Sequence, residues 1–242
     1  MRTKVLLCAA ALAASLASSM AQVYSLNVVG YVNVTLPANA FSLVANPFDA
    51  TTGGANPGMD NLTNLFANAT PNSTVQTFDP TAASGAGDWR DPLTFYGGTT
   101  GWFPNSMNVL PGQAVLYFNN GPALSVTFVG QVVQGPYTVA TMTSGSFNTI
   151  GLPSPVGGDL TSSSSLITNA FAAVNLVAAV NDTVQKFDPA AAAGAGDWTD
   201  PETWYGGTTG WFPGTMRASP ADGFLYFRNG ANYTWVSNFT VQ

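Results

Sequence analysis

Short runs of alternating apolar and polar residues, broken by Gly, Pro, Asn and Asp, recur from residue 23 to the end of the chain. Alternation at period two is the signature of a strand with one face buried. Residues 23–36 (VYSLNVVGYVNVTL) are β-branched and aromatic and predict one long strand, bulged at Gly30. Residues 41–45 (FSLVA) predict a short buried strand ended by Asn46-Pro47. Leu62, Leu65 and Phe66 stand at i, i+3 and i+4 behind Asp60, which predicts one or two helical turns capped by that Asp. After a strand at 74–78 come two hairpin signals. Residues 93–96 and 102–103 flank the loop GGTTG, and residues 113–118 and 123–133 flank NNGP, whose Asn-Gly favours positive φ. Trp102 and Phe103 are adjacent, so in a strand one of them faces away from the core.

The pattern is then repeated. Residues 184–230 match residues 75–121 without a gap, at 31 of 47 positions and a constant offset of 109. The longest identical block, YGGTTGWFP, stands at 96–104 and 205–213, and GAGDW stands at 85–89 and 194–198. Such duplication governs the reading of the whole fold. Residues 137–142, 147–152 and 233–241 predict the remaining strands of the second copy, and the Ala-rich stretch 166–180 predicts a few helical turns. The expected fold is all-β: two pseudo-symmetric antiparallel β units, sandwich- or barrel-like, packed together, with short helical turns in loops. Unit 1 is expected over 22–133 and unit 2 over 134–242, each opening and closing in a similar strand, with the middle strand shared.

The first residues change the address rather than the fold. Arg2 and Lys4 precede an apolar run, and Ser19 and Ala21 supply small residues at −3 and −1 of a peptidase site, so residues 1–21 are expected to be a signal peptide. No stretch reaches the length of a membrane span. The chain is expected to be secreted, acting in the extracellular space, at the cell surface or in the periplasm. Cleavage removes Cys8, the sole cysteine, and leaves four bases against twelve acids, a net charge of −8. That balance excludes the basic patch that nucleic acid requires.

The segments FSLVANP (41–47), TFD (77–79), WFP (102–104), VLPGQAVLY (109–117) and VGQV (129–132) together resemble a repeat of exported bacterial proteins. The opening QVYSLNVVGYVNV (22–34) is similar to the mature start of a secreted, uncharacterised subgroup carrying two such repeats. The resemblance implies export and an all-β fold, and carries no catalytic residue across. Unit 2 departs from it where PADG (220–223) replaces PGQA (111–114).

Chemistry is thinly supplied. With no His and no mature Cys, the Ser–His, Cys–His and His-rich metal constellations are excluded. Asp79, Asp88 and Asp91 recur as Asp188, Asp197 and Asp200; they read as turn residues or, distantly, as a carboxylate glycosidase pair. Asp88 with Asp91, and Asp197 with Asp200, sit in Gly-rich loops and are also candidate calcium ligands. The duplicated aromatics either fill two cores or grip sugar rings. Trp89 and Trp198 at loop ends are the expected platforms, with Asp88, Asp197, Tyr96 and Tyr205 beside them. The leading expectation is a non-enzymatic structural or adhesion module whose partners are extracellular polysaccharide or other surface proteins. The alternative is a carbohydrate-binding module using the Asp-Trp loops.

Overall fold

Each unit is closed by a ribbon of two strands drawn from its opposite ends. In the computed structural model, which describes residues 28–50, 60–104, 107–159 and 174–241, β1 (Val29–Leu36) runs antiparallel to β9 (Leu124–Gln131). The signal segment and the first residues of the expected opening strand lie outside the described residues. Inward positions Leu36, Val126 and Phe128 are buried, and the positions between them face out. Burying a side chain such as Phe128 contributes about 1.5–3 kcal/mol. The bulge expected at Gly30 is absent, since Gly30 pairs with Gly130 in unbroken register. Glycine is required there by contact: a Cβ would lie 2.5 Å from the Phe48 ring.

Beneath the ribbon lies a five-stranded sheet. β2 (Phe41–Ala45) pairs with β8 (Ala114–Phe118), then come β3 (Thr74–Gln76), β6 (Leu93–Phe95) and β7 (Trp102–Phe103). Val75 and Tyr117 from the sheet meet Leu36 and Phe128 from the ribbon, with Leu62 of the one-turn helix α1 (Leu62–Leu65) and its C-cap Phe66 filling the space between. Asp60 does not cap that turn. Asn61 does, its Oδ1 accepting the Thr63 N–H at 3.0 Å, while Asp60 points inward.

The hairpin expected around residues 119–122 is not formed, because β8 belongs to the sheet and β9 to the ribbon. Asn119 explains the corner. Its buried Nδ2 donates to the carbonyls of Pro37 (2.9 Å) and Pro122 (2.7 Å), tying the sheet-to-ribbon crossing to the turn after β1. Nor is a strand shared between units: β9 ends at Gln131, and β10 (Gly135–Met142) pairs with the last strand, β19 (Tyr233–Phe239).

Unit 2 repeats the plan. β11 (Ser146–Gly151), β18 (Gly223–Arg228), β13 (Thr183–Asp188), β15 (Glu202–Trp204) and β16 (Trp211–Phe212) form the second sheet. A small addition, β12 (Gly158–Asp159) against β17 (Arg217–Ala218), flanks it. Residues 174–180 of the expected Ala-rich helix are turns and extended chain, and its earlier part, 166–173, lies outside the described residues. Trp235 anchors this segment by donating Nε1–H to the Val174 carbonyl at 2.8 Å. Among the described residues no helix is long and apolar enough to cross a membrane.

The two units meet across a pseudo-two-fold axis. The bridge from Val44 to Asp222 is answered by one between the equivalent positions Ile150 and Gln113. Ala45 N–H donates to Ala221 O at 2.9 Å, and Gly151 N–H donates to Gly112 O at 2.8 Å. Reciprocal pairing of this kind is the property of an isologous interface.

Candidate functional site

The Asp-Trp loops are built the same way in both units. β4 (Phe78–Asp79) pairs with β5 (Asp88–Trp89), and within β13 Phe187 and Asp188 pair with Trp198 and Asp197 of β14 (Asp197–Trp198). Trp89 stands edge-on to Phe78 at 5.3 Å and 78°, and Trp198 to Phe187 at 5.4 Å and 79°. Both indoles are half-buried against the apolar cluster of Leu43, Ala45 and Ala114. The Gly before each Asp has positive φ and lies under the Phe ring, where a Cβ would come within 2.4 Å (Gly87) or 2.3 Å (Gly196). These Trp residues therefore serve packing on at least one side of each ring.

The carboxylates of these loops are engaged locally. Asp79 Oδ1 accepts the N–H and hydroxyl of Thr81 at 2.9 and 2.7 Å, which with Arg90 holds its carboxyl below the usual carboxylate range. Asp188 Oδ1 accepts the Ala190 N–H at 2.9 Å. Asp88 and Asp197 each accept the N–H of the following Trp, at 2.7 and 2.8 Å. Asp91 and Asp200 are exposed. Among the described residues no three His, Cys, Asp or Glu side chains converge as a metal donor set.

The exposed aromatic surface lies elsewhere, on the hairpins at the outer edge of each sheet. In unit 1, Tyr96 N–H donates to Gly101 O at 2.9 Å and Gly101 N–H donates to Gly97 O at 3.2 Å, closing the GGTTG loop. Tyr205, Gly206 and Gly210 reproduce both bonds at the same lengths. Trp102 and Trp211 turn inward and are buried, so the next residue on the strand must turn out. Tyr96 and Phe103 are 55% and 56% exposed, and Tyr205 and Phe212 are 53% and 59% exposed. Each pair forms an edge-to-face contact, at 6.2 Å and 70° in unit 1 and 6.3 Å and 68° in unit 2. A cis-proline, Pro104 or Pro213, follows each Phe. Tyr96 and Tyr205 are among the expected ligand-binding residues; Phe103 and Phe212 belong to the duplicated aromatic set without being placed at that site, although the Trp-Phe adjacency points to one outward ring.

Both cores also hold polar centres. In unit 2 buried Asp182 accepts from Tyr226 Oη (2.5 Å), Arg228 Nη1 (2.7 Å) and the N–H groups of Ala179 and Asn229 (2.8 and 2.7 Å). Burial, then the Asp182 carboxylate, pushes the Tyr226 phenol far up. Unit 1 places Ser73, Tyr117 and Asn119 at the equivalent positions, and Ser73 Oγ accepts the Asn120 N–H at 3.1 Å. Asp60 accepts from Asn46 Nδ2 at 3.0 Å and from the Ala50 N–H at 2.9 Å, and its burial raises its carboxyl pKa. These groups are enclosed and serve the fold.

No protein-family model, curated protein or solved structure matches this chain.

Proposed function

We propose that the protein is an exported, non-enzymatic adhesion module of the extracellular space or cell surface, and that it holds glycan through its two aromatic tips. The observation that carries this reading is the duplication of an exposed Tyr–Phe pair, with the same ring geometry, on equivalent edge hairpins. Exposed rings lose little by leaving water for the apolar face of a sugar, and a flanking loop of Gly and Thr offers backbone and hydroxyl groups to its rim. The loop carboxylates, hydrogen-bonded to neighbouring N–H groups, support a structural role for Asp79, Asp88, Asp188 and Asp197. The carbohydrate-binding alternative thus moves from the Asp-Trp loops to the tips.

The test is retention on insoluble cellulose, chitin and mannan. Tyr96→Ala with Phe103→Ala should weaken retention, and Tyr205→Ala with Phe212→Ala should do the same. All four together should abolish it with the melting temperature unchanged. Undiminished retention of the fourfold variant would sink the proposal.

A further inference from the structure

The two units differ in a concentrated way. Six of their 16 differing paired positions change charge: Thr77/Lys186, Arg90/Thr199, Leu93/Glu202, Asn108/Arg217, Gln113/Asp222 and Asn119/Arg228. The last belongs to the buried centre described above. Four of the other five line a single cleft of unit 2, about 450 Å³ in volume, walled by Lys186, Thr199, Glu202 and Arg217 with Asp200 and Thr215. Asp222 joins it by holding Lys186 Nζ at 2.6 Å. A cleft of unit 1 that overlaps it at the Thr77, Arg90, Met107 and Asn108 positions, about 350 Å³, carries Gln113 as well. Unit 1 builds the counterparts of β13, β15 and β18 without the charges of unit 2, while the β12–β17 ribbon that carries Arg217 belongs, among the described residues, to unit 2 alone.

Glu202 sharpens the point. It is the chain's sole glutamate and is 2% exposed. Its Oε1 accepts the N–H groups of Thr215 and Met216 at 2.7 and 2.6 Å, while its Oε2 has no hydrogen-bond partner among the described residues. A buried carboxylate oxygen without a donor is unfavourable, and the leucine of unit 1 avoids that cost. A ligand hydroxyl entering the floor of the cleft would remove it.

We infer that this cleft is a subsite for one pyranose-sized, uncharged, hydroxyl-rich residue of a glycan. Glu202 and Asp200 would accept hydroxyl protons, and exposed Arg217 would donate to hydroxyl and ring oxygens. The volume fits one such residue and its water. The lining carries Asp200 and Glu202 against Lys186 and Arg217, and both cations are already paired, Lys186 with Asp222 and Arg217 with Asp159, which disfavours an anionic ligand. The two cations disfavour a metal ion. Pro213 forms part of the wall and directly follows Phe212, so the unit 2 tip and the cleft adjoin along the chain. The inference rests on the glycan reading of the tips and makes unit 2 the selective half of the protein.

The experiment is titration of the full secreted chain with neutral glucan, mannan and xylan oligosaccharides and with polygalacturonate. The comparison is wild type, Arg217→Asn, Glu202→Leu and Phe103→Ala with Phe212→Ala. Arg217→Asn and Glu202→Leu install residues that unit 1 already tolerates; Arg217 is exposed, so its variant remains informative if Glu202→Leu folds poorly. The expected result is one preferred neutral oligosaccharide, bound at least tenfold more weakly by either cleft variant. Cleft variants that bind as wild type while the tip variant fails would overturn the subsite and leave the adhesion reading standing. Binding of polygalacturonate alone would overturn the uncharged assignment. If wild type binds no probe, both readings fall.

Discussion

Arg228→Asn places in unit 2 the residue that unit 1 carries at the same corner, and its consequence can be worked from the contacts. Arg228 Nη1 leaves Asp182 Oδ2, and the Val177 and Ala231 carbonyls lose their guanidinium donors, set at 3.1 and 3.0 Å. Asp182 stays buried, with Tyr226 and backbone N–H groups as remaining donors. Removing one partner of a buried pair typically costs about 3–5 kcal/mol. The remaining donors place this case near about 3 kcal/mol, or roughly 6–12 °C in melting temperature for a chain of this size. Adding Asp182→Ser completes the neutral Ser–Asn arrangement of unit 1 and should recover at least half of the loss. The assay is urea unfolding followed by tryptophan emission, for wild type, each single variant and the double variant, at 0.05 and 1 M NaCl. Because the pair is buried, salt should leave the coupling energy unchanged. A single-variant cost below about 1 kcal/mol, or a double variant whose loss equals the sum of the singles, would refute the reasoning.

Further predictions concern other sites. Burial raises the Asp60 carboxyl pKa, so its favourable contribution is full below the unfolded carboxylate value and fades as pH rises through the folded one. Asp60→Asn keeps an acceptor for Asn46 and Ala50, so its stability relative to wild type should grow from pH 4 to pH 7. A pH-independent difference in urea midpoint would contradict this. Gly30→Ala drives a methyl into Phe48 and should cost about 1–3 kcal/mol, with partial rescue by Phe48→Leu. Asn119→Ala strands two carbonyls of the sheet-to-ribbon corner and should cost about 1–3 kcal/mol, read as a lowered urea midpoint. The expected signal peptide is tested by mass spectrometry of protein recovered from outside the cytoplasm, which should begin at Gln22.

Local pattern carried much of the architecture. The runs expected as strands at 41–45, 93–96 and 147–152 fall on β2, β6 and β11, and the adjacency of Trp102 and Phe103 required one buried and one exposed ring. What escaped the pattern depends on partners distant in sequence. The Asn-Gly at 120–121 is a hairpin signal, but Asn119 answers to the Pro37 carbonyl 82 residues away and sends the chain to the ribbon. Asp60 looks like a cap until Asn46 draws it inward and leaves the task to Asn61. Gly30 reads as a bulge because the ring of Phe48, which excludes any side chain there, comes from another strand's end. Trp89 and Trp198 share a sequence context with a sugar platform; only the seam between units shows that their rings are partly consumed by packing.

The reciprocal contact between the units has a consequence for parity. Each unit gives the bridge once and receives it once, so two copies exhaust it. A third copy spliced onto the chain would offer strand groups at Val44- and Gln113-like positions to no acceptor. A fourth would restore the balance. Chains that lengthen by gaining this unit are therefore expected to hold even numbers of it, and an odd-numbered chain is expected to complete the count by pairing with a second molecule.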